Sequence, residues 1–132
     1  MSTRPGKLSV LLVDDEPLVR QLLAYVLREA GYVVEEADNG ASALQTARQM
    51  NGALGLVITD IDMPVMDGLE FARLLRQTDR RIPFLFITAL DPALVTESGQ
   101  QGEVLAKPFL PETLLETVAR MSATVASPGQ LA

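Results

Sequence analysis

The sequence predicts an α/β fold, in which five parallel strands form one sheet with helices on both of its faces. Three observations lead to this prediction. Short apolar runs alternate along the chain with segments whose apolar residues recur at helical spacing. The strand-like runs are apolar throughout, which is typical of parallel strands that are buried on both faces. Right-handed crossovers between such strands then leave few possible topologies.

The first two helices and the first strand have clear local signals. The apolar run Leu8–Val13 is too short for a typical helix and fits a buried strand. Pro17 suits the first turn of a helix, and Gly31 is a typical helix end. Asp38 or Asn39 can cap the second helix. The apolar residues at helical spacing are Leu18, Val19, Leu22, Leu23, Val26 and Leu27 in the first helix, and Ala43, Leu44, Ala47 and Met50 in the second.

Four further apolar runs predict the remaining strands, and two more segments predict helices. The strands are expected at 32–37, 55–59, 82–87 and 104–106. A helix carrying Leu69, Ala72 and Leu75 follows a loop, and the last helix begins near Pro111. Between residues 90 and 102, Pro92, Gly99 and Gly102 leave room for only about two helical turns. The fourth helix is therefore expected to be short or distorted.

The domain organisation follows from the same pass along the chain. We predict a single domain over residues 7–121, with an N-terminal tail at 1–6. Residues 122–132 are small, polar and proline-containing, which indicates a flexible C-terminal tail. We see no internal repeat.

Composition excludes several classes of function. The chain has no cysteine and no histidine, which excludes disulfides, thiolate metal sites and histidine-dependent catalytic triads. Its net charge of −6 argues against direct binding of nucleic acid, which depends on Lys and Arg. No stretch is long and apolar enough to span a membrane, and the N-terminus lacks the apolar segment of a signal peptide. We therefore expect a cytoplasmic protein without membrane contact.

Polar side chains follow four of the predicted strands at their carboxyl ends. Asp14 and Asp15 follow the first strand, Asp60 the third, Thr88 the fourth and Lys107 the fifth. Any one of them could be a solvated loop residue or a helix cap. The set is harder to explain by chance, because the carboxyl ends of parallel strands meet at one edge of the sheet, where ligands bind.

The chemistry of this set favours phosphoryl transfer with a divalent cation. Carboxylates packed together repel one another, and a bound cation removes that conflict. Ligation by oxygen alone suits Mg²⁺, with Mn²⁺ as an alternative. Lys107 and Thr88 can hold phosphoryl oxygens. A carboxylate can also act as a nucleophile and form an aspartyl phosphate.

Four motifs carry a resemblance to a known family. VLLVDDE, ITDIDMPVMDG, FITA and AKPF occur in this order and spacing, and over residues 7 to 121 the chain resembles the response-regulator receiver domain of two-component signalling, of the chemotaxis-regulator type. The resemblance implies a flavodoxin-like sheet with strand order 2-1-3-4-5. It also implies a signalling domain rather than an enzyme, with at most autocatalytic phosphorylation and dephosphorylation.

The resemblance implies a role for each residue of the set. Asp60 would be the phosphoacceptor, and Thr88 and Lys107 would contact the phosphoryl group. The Lys107–Pro108 bond matches one that is usually cis in the family, and Asp67 is expected to be a helix N-cap rather than a ligand. The implied metal ligands are Asp14, Asp15, Asp60 and the backbone carbonyl of Asp62.

The resemblance also implies partners. The phosphoryl donor would be a sensor histidine kinase or a histidine phosphotransfer protein. We expect no attached effector domain, so output would pass to a downstream protein partner that the sequence does not identify, or onward through a phosphorelay. The domain would be a monomer or a phosphorylation-dependent dimer.

Two departures from the family pattern concern output. The family often has Tyr or Phe three residues before the lysine, where it acts as a rotamer switch, and this chain has Val104 there. The stretch between Thr88 and Lys107 is also a few residues shorter than usual. Both departures leave phosphorylation in place but change the usual signalling surface.

Two alternatives remain open at this stage. The sequence Asp60-Ile61-Asp62 after an apolar strand resembles the nucleophile loop of haloacid-dehalogenase-type phosphatases, although those enzymes normally place it on the first strand. The chain could also be a receiver-like binding module that is never phosphorylated.

Overall fold

The computed structural model describes the backbone of residues 8–50 and 52–131, and the side chains of these residues as far as 123. Strands and helices alternate through the described residues, and the fold prediction is confirmed. Their bounds are β1 Ser9–Val13, α1 Pro17–Glu29, β2 Val33–Ala37, α2 Gly40–Met50, β3 Leu54–Asp60, α3 Gly68–Leu75, β4 Phe84–Thr88, α4 Ala93–Ser98, β5 Glu103–Ala106 and α5 Pro111–Leu131.

The five strands form one parallel sheet with the order β2-β1-β3-β4-β5. The chain reverses its direction of growth at β1, because β2 is added on one side of β1 and β3 on the other. The carboxyl ends of β1 and β3 therefore lie side by side at the switch point. Ligands of open α/β sheets bind at such a crevice.

Both faces of the sheet are covered, which explains the uninterrupted apolar runs. Side chains of β1 alternate between two buried clusters, because successive residues of a strand point to opposite faces. Val10 and Leu12 pack with residues of α1 and α5, including Leu27 and Leu114. On the other face, Leu11 and Val13 pack with residues of α2 and α3, including Leu44 and Phe71.

Helix α1 buries a narrower stripe than its sequence suggests. Leu23, Ala24 and Leu27 face the sheet and are buried. Leu18 and Leu22, which belong to the apolar positions identified in the sequence, are 81% and 57% exposed. The six apolar positions span more of the helix circumference than one sheet face can cover, so part of the apolar surface of α1 remains in solvent.

Helix α4 confirms the prediction of a short fourth helix. It has six residues and ends at Gly99, whose φ of 81° is the left-handed conformation that glycine adopts without strain. Only Val95 of this helix is buried, and it packs against the cluster on the α2 and α3 face. The helix is therefore held to the domain mainly by one side chain.

Helix α5 extends into the carboxyl-terminal residues of the chain. It continues through residues 122–131 to Leu131, and the flexibility of this segment stays a prediction. Residues 1–6 of the predicted N-terminal tail lie outside the described residues. None of the helices in the described ranges is both long and apolar enough to cross a membrane.

Gly68 begins α3 directly beneath β3. Its backbone N–H donates to the carbonyl of Ile61 at 2.9 Å. A Cβ atom at this position would lie 2.1 Å from the carbonyl oxygen of Asp60. Only glycine permits the loop after β3 to fold back this closely onto the end of the strand.

Candidate functional site at the carboxyl edge of the sheet

Asp60 is the last residue of β3 and is 6% exposed. Its backbone carbonyl accepts a hydrogen bond from the Thr59 hydroxyl at 2.8 Å. The backbone N–H of Asp62 donates to Asp60 Oδ1 at 3.3 Å, so the chain turns over the carboxylate immediately after the strand. The side chain of Asp62 is exposed, which leaves its backbone as the part nearest the site.

Asp14 follows β1 and is 1% exposed. Its N–H donates to the carbonyl of Ala37 at the end of β2, at 3.1 Å, and its Oδ1 accepts from the N–H of Glu16 at 2.9 Å. Asp15 is partly exposed beside it. These contacts fix the loop between β1 and α1 from both sides.

The structure brings Asp14, Asp15 and Asp60 together, as the sequence predicted. One carboxylate oxygen from each residue lies within 4.8 Å of the other two. The donor set consists of oxygen alone, and two of the three carboxylates are buried. This chemistry fits a hard divalent cation such as Mg²⁺, which is held by few carboxylates and keeps several waters. The residues present are thus compatible with the metal that the sequence predicts.

Lys107 lies just after β5 and points into the acidic cluster. Its Nζ is 3.1 Å from Asp60 Oδ2, 3.5 Å from Asp14 Oδ2 and 3.9 Å from Glu16 Oε1. The Lys107–Pro108 peptide bond is cis, as the resemblance implies. The lysine bridges two carboxylates that come from separate strands, and its charge offsets their mutual repulsion.

The surroundings have opposite effects on the charged forms of Asp60 and Lys107. Burial raises the pKa of the Asp60 carboxyl, and the charge of Asp14 acts in the same direction, while Lys107 only partly counteracts them. Burial alone would lower the pKa of Lys107, but the hydrogen bond to Asp60 and the charges of the neighbouring carboxylates outweigh it and raise this pKa. Lys107 is therefore a stable cation at neutral pH, whereas the ionised form of Asp60 is disfavoured by its surroundings.

Thr88 ends β4 and is fully buried. Its carbonyl accepts from the N–H of Lys107 at 2.8 Å, which places the two residues side by side. Its hydroxyl accepts from the N–H of Leu90 at 2.8 Å. The side chain of Thr88 is thus engaged with the segment that leads into α4, a contact that sequence reasoning did not predict.

Two further residues at this edge were not identified from the sequence. Glu16 approaches Lys107, and its position directly after the acidic pair is a signal that could have found it. Arg20 donates from Nη1 to the backbone carbonyl of Asp14 at 2.7 Å. It lies one helical turn after Glu16, and its sequence context alone gives no indication of this contact. Asp67 caps α3 by accepting from the N–H of Glu70 at 2.8 Å, as predicted.

Comparison with known proteins decides the family. A family model described as the response regulator receiver domain matches residues 10–119. The chain belongs to the response regulator receiver domain family. Receiver domains are signalling domains of two-component systems, and the family binds Mg²⁺ at an acidic pocket. This membership favours the receiver interpretation of Asp60-Ile61-Asp62 over the haloacid-dehalogenase one.

Individual receiver proteins resemble the chain over most of its length. The response regulator receiver protein CpdR of Brucella abortus is 37% identical over 117 residues, covering 85% of this chain and 94% of CpdR. The structure of the chemotaxis protein CheY4 of Vibrio cholerae has a TM-score of 0.79 at 37% identity and covers 88% of this chain and 99% of CheY4. The response regulator TrrA of Thermotoga maritima, solved in complex with Mg²⁺ and BeF, has a TM-score of 0.77 at 34% identity and covers 86% of this chain and 98% of TrrA.

Other curated relatives are much longer than this chain. They include sensor proteins and transcriptional regulators, and the chain spans from 9% to 49% of their length. Receiver domains therefore occur both as most of a protein and as one part of a larger one.

Proposed function

We propose that this receiver domain accepts a phosphoryl group on Asp60 from a phosphohistidine donor, with Mg²⁺, or Mn²⁺ as an alternative, at the adjacent carboxylates. The observation that carries the proposal is the placement of Lys107 between Asp60 and Asp14, beside the oxygen cluster of Asp14, Asp15 and Asp60. The carboxylates can hold a cation, and the ammonium of Lys107 can attract the negative oxygens of a phosphoryl group.

Each residue has a distinct part in the proposed reaction. A carboxylate oxygen of Asp60 attacks the phosphorus, the bond from phosphorus to the donor imidazole breaks, and the imidazole nitrogen keeps the electron pair. The ammonium of Lys107 donates to a phosphoryl oxygen and is already 3.1 Å from the acceptor carboxylate. The hydroxyl of Thr88 can donate to a second phosphoryl oxygen after rotating away from Leu90.

The metal has a defined place in this proposal. The ligands would be the carboxylates of Asp14, Asp15 and Asp60 and the backbone carbonyl of Asp62. When bound, the cation supplies positive charge to the phosphoryl oxygens and relieves repulsion among the carboxylates. The turn of Asp62 over Asp60 Oδ1 keeps that part of the backbone close to the acceptor.

The proposed partners follow from the family and the charge. The donor is a sensor histidine kinase or a histidine phosphotransfer protein, and several relatives are themselves sensor proteins. The output is binding of a protein partner or onward transfer in a phosphorelay, by a monomer or a phosphorylation-dependent dimer. A net charge of −6 opposes direct binding of nucleic acid. We place this activity in the cytoplasm.

The stoichiometry of transfer tests the proposal. The protein is incubated with Mg²⁺ and either a phosphorylated histidine phosphotransfer protein or a small phosphodonor, and the intact mass and released phosphate are measured. We expect one retained phosphoryl group per chain. Sustained turnover of the donor would show a phosphatase, and no mass increase with any donor would show a binding module that is never phosphorylated.

We further propose that the segment from residue 90 to 102 carries the output. The hydroxyl of Thr88 holds the N–H of Leu90, and rotation toward a phosphoryl group breaks this bond. Val104 is too small to act as the aromatic rotamer switch, and α4 is short and anchored mainly by Val95. A segment with so little burial has low local stability and can be reordered by a single contact.

Amide hydrogen exchange with and without beryllofluoride plus Mg²⁺ checks this output route. We expect the largest change in protection between residues 89 and 105. Thr88→Val removes the hydroxyl at nearly constant volume, so Leu90 should exchange faster in this variant even without the phosphoryl mimic. An unchanged segment, together with altered protection in α5, would place the output on another face.

A further inference from the structure

Arg20 joins the acidic loop of the site to the second strand. It lies in the first part of α1, and its side chain is only 16% exposed. Nη1 donates to the backbone carbonyl of Asp14 at 2.7 Å, and Nε donates to Glu36 Oε1 at 3.2 Å. The guanidinium thus makes one contact to the loop and one to β2, with the fixed angle between its donors that lysine lacks.

The contact to Asp14 supplies a hydrogen-bond donor to a backbone carbonyl of the loop. Asp14 and Asp15 lie between β1 and α1, and Glu16 is the N-cap of α1, with its carbonyl accepting from the N–H of Arg20 at 2.9 Å. The N–H of Asp14 is bonded to Ala37, and its carbonyl is bonded to Arg20. With both backbone groups of Asp14 held, the peptide that leads to Asp15 has a fixed orientation.

Glu36 partly offsets the charge of Arg20. Its Oε1 is bonded to Arg20, and its Oε2 lies 3.0 Å from Nη1 of Arg28. A cation bound by the neighbouring carboxylates would be repelled by an isolated guanidinium. Because Glu36 pairs with Arg28 as well, it offsets only part of the two guanidinium charges, and Arg20 fixes the loop while leaving some positive charge beside the site.

We propose that Arg20 is a positioning residue for the metal site, and that Glu36 orients its guanidinium. Arg20 touches neither the metal nor the phosphoryl group in this proposal. It holds the peptide between Asp14 and Asp15 in the orientation that divalent cation binding requires. The inference rests on the proposed metal-assisted phosphorylation of Asp60.

A simple charge argument predicts the opposite change in Mg²⁺ affinity, which makes the inference testable. Arg20→Gln removes a positive charge close to three carboxylates, so electrostatics alone would tighten Mg²⁺ binding. If Arg20 acts by positioning, the same change weakens binding, by about tenfold or more on the pattern of residues that orient metal ligands. Calorimetric titration with Mg²⁺ measures this directly in the otherwise unmodified protein.

Arg28→Gln is the matched control. It removes the other ion pair of Glu36 but leaves the contact from Arg20 to Asp14 in place. We expect its Mg²⁺ affinity to stay close to that of the unmodified protein. Arg20→Lys keeps the charge and most of the aliphatic stem while losing the two-donor geometry, and is expected to lie between the unmodified protein and Arg20→Gln. It also provides a folded variant if Arg20→Gln is too unstable to purify.

The phosphorylation rate provides a second readout. A positioning defect is overcome by excess metal, so the rate of the Arg20 variants should approach that of the unmodified protein at saturating Mg²⁺. Equal weakening in the Arg20 and Arg28 variants, unchanged or tighter binding in Arg20→Gln, or a rate deficit that persists at saturating Mg²⁺ would each overturn the inference. If the unmodified protein binds no Mg²⁺, the proposed function and this inference both fail, whereas normal binding with an unaffected Arg20 variant removes the inference alone.

Discussion

Asp60→Asn is expected to abolish phosphoryl acceptance completely while leaving the domain folded. The amide has nearly the same shape as the carboxylate but no anionic oxygen that can attack phosphorus. The mass increase seen with a phosphodonor and Mg²⁺ should therefore vanish. A phosphoryl group that persists in the variant would show that another residue is the acceptor.

Asp62→Asn is the matched control for this change. Asp62 lies two residues away and has an exposed side chain, and its proposed role uses only the backbone carbonyl. The Asn variant keeps that carbonyl and should accept one phosphoryl group per chain. Loss of phosphorylation in both variants would mean that the effect is a general disturbance of the loop after β3.

Stability provides a further check on Asp60. The pKa of the Asp60 carboxyl is raised in the folded protein relative to the unfolded chain. At any pH above this raised pKa, the ionised carboxylate therefore lowers the free energy of unfolding. This destabilising effect is absent at pH values below the unfolded pKa, where the group is protonated in both states. At neutral pH without metal, Asp60→Asn should therefore have a higher thermal midpoint than the unmodified protein, and Mg²⁺ should raise that midpoint less in the variant.

Gly68→Ala is expected to lower both stability and phosphorylation. The added methyl group would lie 2.1 Å from the carbonyl oxygen of Asp60, and a backbone atom cannot move away as a flexible side chain can. Overpacking of this kind costs about 1–3 kcal/mol and occasionally more. The gain in helix propensity, at most about 1 kcal/mol for Gly to Ala, does not offset it. The end of β3 must shift, and Asp60 shifts with it.

Gly52→Ala separates these two effects. Gly52 has a φ of 90°, but a Cβ there would meet no atom within 4 Å. Its substitution should cost stability through backbone strain, about 1–2 kcal/mol, without moving any residue of the site. Urea denaturation and the phosphorylation rate are measured for both variants. If Gly68→Ala is phosphorylated as fast as Gly52→Ala, the close approach of α3 to β3 has no bearing on the site.

The sequence predicted the parts of the molecule that depend on residue type and strand order. Asp14, Asp15, Asp60 and Lys107 could be placed at one edge because parallel strands end there, whatever the details of packing. The short α4 was predictable as well, since Gly99 ends it by its own conformational freedom. The N-cap at Asp67 follows from a local hydrogen bond within three residues.

The features that were not predicted depend on distances through space. The contact of Arg20 with Asp14 and Glu36 requires the angle at which α1 leaves β1, which no local pattern encodes. The hydroxyl direction of Thr88 is set by the N–H of Leu90 rather than by the acidic cluster. The exposure of Leu18 depends on how much of α1 the sheet can cover, which composition alone does not determine.

The contacts of Lys107 also depend on completion of the fold. Lys107 and Asp14 are 93 positions apart in sequence, and Lys107 and Asp60 are 47 apart. The lysine therefore reaches its carboxylates only after β5 has joined β4, whose own neighbour β3 carries Asp60. A partly folded chain in which β5 had not joined the sheet would keep its acidic residues but lack the ammonium group of Lys107 between them. Under the proposed function, phosphoryl acceptance would therefore require completion of the whole sheet, and a chain lacking β5 would not be phosphorylated.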